Sequence, residues 1–317
     1  MSQSGPRISV IVPAYGVAHL LGEALASLQA QSLADWEAIV IDDGAPDDVA
    51  GACAAFADDP RIKLVMTDNG GLATARNRAI AASRGPFVAL LDGDDAYEPG
   101  YLAAMLAAIE PQPALGFVTC DAVFTGLPDR AGQRFSRFHA QTGAITLERV
   151  IRRAFNVFIG CTIRRAAFDA VGGFDAALRS AEDLDLWIRL LSAGWGAVLV
   201  PEPLVRYRRR PGSLSSNTRA MLAANATVYR KAVEALAGRP EQDVAKAMLA
   251  QIAANQERAE GEALILAGEA RRGLALLRNA EGLSLRWRLA LPVMRVFPAL
   301  AAPLLRMRAR LPEPSRR

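Results

Sequence analysis

The stretch "FVALLDGDDAYEP", residues 87–99, decides how the chain is read. An apolar run of strand length, Phe87 to Leu91, ends in three acids within four residues: Asp92, Asp94 and Asp95. Like charges this close repel unless something positive sits between them. The acids therefore either all face water or hold a cation at the end of a buried strand. Asp92 and Asp94 flank Gly93 and are expected to point into one crevice. Oxygen-only ligands suit Mg2+ or Mn2+, and Mg2+ usually takes one or two carboxylates and completes its shell with substrate phosphates and water.

The same pattern recurs toward the N-terminus. "ISVIVP" (8–13), "WEAIVIDDG" (36–44) and "RIKLVMTDNG" (61–70) are aliphatic runs of strand length, and the last two end in Asp, Asn or Gly. Helical patterns lie between them. "HLLGEALASLQAQ" (19–31) puts Leu20, Leu21, Ala24, Leu25 and Leu28 on one face, and "DVAGACAAFA" (48–57) and "LATARNRAIAASRG" (72–85) follow, the latter with Gly85 as its stop. Strands of continuous apolarity alternating with helices predict an α/β fold, a parallel sheet covered on both faces. In such sheets ligands bind at the carboxyl ends of the strands, where the acidic clusters fall.

Beyond residue 217 the chain reads as helical. "RAMLAANATVYRKAVEALAG" (219–238) is one helix, and "EGEALILAGEARRGLALLRNAEG" (260–282) is a helical hairpin. The expected organisation is a catalytic domain over 1–217, a helical extension over 218–283 and a basic amphipathic tail over 284–317. The tail mixes Trp287, Leu289, Val293, Phe297 and Leu304 with arginines, and Pro292, Pro298 and Pro303 interrupt it too often for a membrane-spanning helix.

Charge is unevenly spread. Residues 271–317 hold eleven Arg against Glu281 and Glu313, a net of +9; the whole chain is +4, so the preceding 270 residues carry −5. With only His19 and His139, a zinc site or a histidine triad is not expected. Cys53, Cys120 and Cys161 are an odd set without metal-ligand spacing and read as reduced thiols of a cytoplasmic protein. "MSQSGPRISVIVPAYG" (1–16) has no long apolar run before a cleavage site, so no signal peptide is expected. No nucleic-acid partner is expected, and the oligomeric state is left open.

Four clusters could carry chemistry. In "IVPAYG" (11–16), Tyr15 could stack on a flat ring or belong to an ordinary strand-to-helix turn. In "IDDGAPDD" (41–48), Asp42 and Asp43 could accept hydrogen bonds from a base or ribose, or form a solvated Asx turn. In "DNGGLATARN" (68–77), Gly70 and Gly71 permit close backbone approach, and Arg76 could reach a phosphate or base. The fourth cluster is the acidic turn itself.

Their order resembles the family 2 glycosyltransferases of the GT-A fold. The family's opening strand and turn stand here as "VIVPAY" (10–15), its Asp-Asp-Gly-Ser as "DDGA" (42–45), and its Asn-Gly-Gly…Ala-Arg-Asn as "NGGLATARN" (69–77). Its Asp-x-Asp element stands as "DGDDAYEP" (92–99), and its acceptor-side Glu-Asp segment as "GGFDAALRSAEDLDLWIRLLSAGW" (172–195). The resemblance covers roughly residues 6–216. It implies a GT-A-like nucleotide-binding sheet flanked by helices, followed here by the α-helical C-terminal region. It implies inverting transfer from a nucleoside-diphosphate sugar to a glycan or lipid-linked acceptor in cell-surface polysaccharide or glycoconjugate synthesis. Pro13, Tyr15, Asp43 and Arg76 would contact the donor nucleotide. Asp92 would support ribose or metal, Asp94 would ligate Mg2+ or Mn2+, Asp183 would be the general base and Glu182 would lie on the acceptor side.

Two positions complicate this pattern. In "RYRRRPGSLS" (206–215), Arg210 stands where the family commonly has a histidine; guanidinium cannot ligate a metal, but it can bind diphosphate directly. Ser180-Ala181-Glu182-Asp183 also reads as a capping-box-like helix start, in which Asp183 would only cap. Trp187 and Leu191, further along that helix, are expected in the core.

Two other readings fit parts of the sequence. A sugar-phosphate nucleotidyltransferase should carry a basic Gly-rich loop after the first strand, and "VPAYGVAHLLGE" (12–23) has neither Lys nor Arg. A non-catalytic sugar-nucleotide-binding module is opposed by the intact Asp94 and Asp183. The tail either packs on the protein or lies peripherally on the anionic inner face of the membrane.

Overall fold

The structure, a computed structural model, describes residues 5–213, 217–279 and 285–309. Residues 1–4, the boundary segments 214–216 and 280–284, residues 310–317 and the side chains of Trp287 and Leu289 lie outside the described set.

The first elements alternate as the apolar runs predict. They are β1 (Ile8–Ala14), α1 (Ala18–Gln29), β2 (Trp36–Asp43), α2 (Val49–Ala54), β3 (Ile62–Thr67), α3 (Leu72–Ala82) and β4 (Phe87–Leu90). Next come β5 (Ala96–Tyr97), α4 (Tyr101–Ile109), β6 (Leu115–Gly126), α5 (Leu147–Ile151), β7 (Cys161–Arg164), α6 (Arg165–Ala170), α7 (Glu182–Ser192) and β8 (Gly196–Arg209). The described residues beyond β8 form the helices α8 (Thr218–Ala235), α9 (Glu241–Leu266), α10 (Ala270–Asn279), α11 (Leu285–Val296) and α12 (Ala301–Ala309).

One sheet runs β3-β2-β1-β4-β7-β6-β8-β5. Its first four strands are parallel. These are the four runs from which a parallel sheet is expected; beyond β4 the sheet is mixed, with β7 antiparallel to both β4 and β6, β6 parallel to β8, and β5 antiparallel to β8. An apolar run reports that both faces are covered; it carries no information about direction.

β1 and β2 are buried along their whole length, because alternate residues feed different layers. Ile11, Ile39, Val88 and Leu90 pack toward α3 and α7, while Val10, Val12, Val40 and Ala89 pack toward α1 and α4. Pro13 is tolerated in this central strand because it lies past the last residue of β1 that β4 pairs, Ile11.

Gly85 is not the stop of α3. That helix ends at Ala82 with Ser83 extended, and Gly85 sits so close to β1 that a Cβ there would lie 2.7 Å from Ser9 Oγ.

α8 and the first half of α9 share the main core, through Val228, Tyr229, Leu236, Ala245 and Ile252. Ile265, Leu274, Leu277, Leu291, Met294 and Leu305 form a separate apolar cluster that joins α9 and α10 to the tail helices. The expected hairpin of α9 and α10 closes tightly, since a Cβ on Gly273 would overlap the Gly261 carbonyl.

Candidate active site

The acidic turn hooks over the end of β1. The Asp95 amide donates to the Asp92 carbonyl at 2.9 Å, with Gly93 and Asp94 at the tip. Gly93 carries no side chain because a Cβ would lie 2.9 Å from the Pro13 carbonyl oxygen. The turn therefore lies where the strand order reverses between β1 and β4, as expected for a ligand site in an open α/β sheet.

Among the described residues, the positive groups that face these acids are arginines. Arg76 Nη2 donates to Asp92 Oδ1 at 2.6 Å, and Arg210 Nε donates to Asp94 Oδ2 at 2.7 Å. The Arg208 amide donates to Asp95 Oδ1 at 2.7 Å, and Arg208 Nε donates to the Asp94 carbonyl at 3.0 Å. Even so, burial and the neighbouring Asp92 push the Asp94 carboxyl above its ordinary range, against the pull of Arg210. Asp95 is pushed up more strongly by its burial and by Asp92 and Asp94.

Arg76 lies buried beneath the acidic turn. It is 1% exposed, and its second terminal nitrogen, Nη1, donates to Glu182 Oε1 at 2.6 Å. Burial works against its charge, but Asp92, Glu182 and Asp183 together keep it protonated. One guanidinium thus ties the acidic turn to the start of α7, and its Nε finds no partner among the described residues.

The capping-box reading of α7 is corrected. The N-cap is Ala181, in the left-handed region at φ 59° with no side-chain cap bond, so Ser180 cannot act as cap. A non-glycine residue held there is strained, which is common at functional sites. The turn sends Glu182 inward to Arg76 and leaves Asp183 half-buried beside it. Asp183 Oδ1 accepts from the Leu184 amide at 2.7 Å, and Oδ2 takes no hydrogen bond among the described residues. Trp187 packs against Phe117 in the core, with ring centroids 4.7 Å apart, and Leu191 packs against the same cluster.

The remaining expected residues line the neighbouring strand ends. Tyr15 is 53% exposed at the end of β1. Asp43 accepts from the Gly70 and Gly71 amides, each at 2.9 Å, and so fixes the glycine turn that starts α3. Asp42 forms the Asx-type turn, accepting from the Ala45 amide at 2.8 Å.

Two contributors escaped the sequence reading. Asp47 holds the Tyr15 turn by accepting from the Gly16 amide at 2.9 Å and the Ala18 amide at 2.6 Å. Arg179 lays its guanidinium over Gly71, where a Cβ would lie 3.0 Å from Nη1, and makes no ion pair among the described residues. Asp47 stood in the quoted acidic run; Arg179, an exposed loop residue, left no pattern to find.

A family model described as glycosyl transferase family 2 matches residues 9–172. The chain belongs to that family. This glycosyltransferase is 29% identical over 236 residues to the putative teichuronic acid biosynthesis glycosyltransferase TuaG of Bacillus subtilis, covering 73% of this chain and 90% of TuaG. It is 30% identical over 246 residues to the uncharacterized protein y4gI of Sinorhizobium fredii, covering 74% of this chain but only 26% of that relative. Among solved structures, TarS residues 1–349 of S. aureus in complex with UDP-GlcNAc aligns at TM-score 0.63 and 21% identity, over 94% of this chain and 87% of that one. The mannosyltransferase PcManGT of Pyrobaculum calidifontis, in complex with GDP-Man and Mn2+, aligns at TM-score 0.61 and 20% identity, over 98% and 89%. The glycosyltransferase thus has the GT-A fold.

Its donor set suits a hard divalent cation. Asp92 and Asp94 offer carboxylate oxygens, and the raised Asp94 is an acid that gains from added positive charge. Among the described residues no group of three or more ligating side chains forms, so such an ion would draw its other ligands from substrate phosphates and water.

Proposed function

We propose that this glycosyltransferase moves a sugar from a nucleoside-diphosphate sugar to an acceptor hydroxyl with inversion. The observation that carries the reading is the placement of Asp183. Its uncommitted oxygen stands beside the Arg76 bridge that links α7 to the acidic turn.

Asp183 takes the proton of the acceptor hydroxyl as that oxygen bonds to the anomeric carbon. The bond from the anomeric carbon to the diphosphate breaks, and its electron pair leaves with the nucleoside diphosphate. Arg210 and Arg179 supply fixed positive charge against the departing phosphates. Mg2+ or Mn2+ held by Asp94 and Asp92 would add to that neutralisation. Tyr15 stacks on the base, and Pro13 and Asp43 shape the nucleotide pocket. Arg76, with both terminal nitrogens on carboxylates, positions Asp92 and Glu182 around the donor. Glu182 lies on the acceptor side.

The acceptor is a glycan or lipid-linked glycan of cell-surface polysaccharide synthesis, and the enzyme works in the cytoplasm at the inner face of the membrane. Support comes from relatives named for polysaccharide synthesis, TuaG among them, and from the donors bound by structural neighbours, UDP-GlcNAc and GDP-Man. No helix among the described residues is long and apolar enough to cross a membrane.

Incubation with a panel of nucleotide sugars, with Mg2+ or Mn2+, tests the proposal. One donor is expected to release nucleoside diphosphate, faster with acceptor. Asp183→Asn is expected to lower transfer by about 100- to 10,000-fold while nucleotide binding and thermal unfolding stay unchanged. Binding without turnover of any donor would identify a sugar-nucleotide-binding module. Loss of stability with full turnover per folded molecule would reduce Asp183 to a structural role.

A further inference from the structure

The tail helices bury one side and expose the other. Leu291, Met294, Ala301 and Leu305 pack against α9 and α10. Val293 and Val296 are exposed on α11, Phe297 and Leu300 in the tight turn that follows it, and Leu304 and Met307, three positions apart, on α12. Val296 is 70% exposed, Phe297 58% and Met307 61%. Of the ten large hydrophobic residues exposed among the described residues, these six fall within fifteen positions. A clustered apolar surface of this kind marks an interaction site.

Charge identifies the occupant. Residues 285–309 contain five Arg and no acid. Arg295 and Arg306 are exposed between the outward apolar residues. Beside them the α9–α10 turn forms a groove of about 430 Å³, lined by Gly268, Glu269, Arg271 and Arg272 on one side and Pro298 and Ala299 on the other. Glu269 pairs with Arg272, and Arg271 makes no ion pair among the described residues. A second copy of this face would set arginine against arginine, which opposes self-association. An anionic lipid surface satisfies both components: acyl chains accept the apolar side chains and headgroup phosphates accept the guanidinium groups.

We propose that the outer side of α11 and α12, together with the arginine-lined groove, docks this enzyme onto an anionic bilayer. Phe297, Val296 and Leu300 enter the interface, and Arg271, Arg272, Arg295 and Arg306 meet the lipid phosphates. The inference deepens the membrane-side part of the proposed function, and binding without any donor tests it separately from catalysis.

The test is co-sedimentation of the full chain with phosphatidylglycerol/phosphatidylethanolamine vesicles, with pure phosphatidylcholine as control. Binding is expected on the anionic vesicles at low salt and on neither at high salt. Val296→Ser with Phe297→Ser should abolish it without shifting thermal unfolding, because both side chains are exposed. Arg271→Gln with Arg272→Gln should weaken it about tenfold or more at low salt. Donor hydrolysis in solution should be unchanged in both variants. A wild-type chain that ignores anionic vesicles overturns the proposal, as does Val296→Ser/Phe297→Ser binding as well as wild type. So does a concentration-dependent dimer that these substitutions dissociate, which would assign the face to a second copy.

Discussion

Arg210 holds Asp94 through a 2.7 Å hydrogen bond from Nε to Oδ2. The acid that the family pattern gives to a metal therefore already faces a permanent cation, one that comes from the chain just past β8. Removal of divalent ions by chelation is expected to abolish turnover, with Mg2+ or Mn2+ restoring it. Asp94→Asn should lower kcat on the order of 100-fold. Asp95→Asn should cost much less, because an amide oxygen can still accept from the Arg208 backbone. Full activity in chelator would leave Arg210 as the diphosphate anchor and remove the metal from the mechanism.

Arg76→Met should be strongly destabilising. It would leave Glu182 buried and Asp92 half-buried, both without their cation. Breaking a buried pair in this way typically costs about 3–5 kcal/mol. Urea unfolding is the measurement. Arg76→Met combined with Glu182→Gln should recover part of the loss, because the abandoned charge is then removed.

Arg179→Gln separates binding from folding. The side chain is exposed beside Gly71 and without an ion pair among the described residues, so the unfolding midpoint should not move. The KM for the donor should rise about tenfold, a loss expected from one charge-assisted contact, and Arg179→Lys should recover part of it. An unchanged KM would place Arg179 outside the donor site.

His139 gives the fold a pH dependence. It stacks on Phe135 with centroids 4.1 Å apart; burial, then Arg130, Arg153 and Arg209, lower its pKa from 6.5 to about 4. The unfolded chain therefore takes up the proton first as pH falls. The contribution is whole above about pH 6.5 and is lost progressively down to about pH 4. The full shift corresponds to about 3 kcal/mol, and solvent screening of the part-exposed ring lowers this to on the order of 2 kcal/mol. Unfolding followed across that range should be less pH-dependent in His139→Phe than in the wild type; parallel curves would show that His139 carries none of it.

The parallel half of the sheet was legible because each strand there is a continuous apolar run with a turn signal at its end. The β5–β8 half was not, because strand direction is settled by tertiary pairing; β6 and β8 even change register at Cys120 and Asp121. The acidic turn announced a site, but not that arginines would answer its charge. Arg76 and Glu182 meet across 106 residues, a separation that no local pattern bridges. The helix start at Ala181 misled for a related reason: Ser180 and Asp183 have the residue types of a cap, while the backbone places the cap between them.

The buried bridge also bears on exchange of parts between relatives. Arg76 belongs to the half that β1–β4 build, and Glu182 opens the helix that carries Asp183. A chimera that joins the first half of this chain to the second half of another enzyme inherits Arg76 with whatever stands in place of Glu182. Without a carboxylate there, Arg76 keeps Asp92 but its Nη1 is left buried without an acceptor, so a working graft carries Arg76 and Glu182 together with no crossover between them.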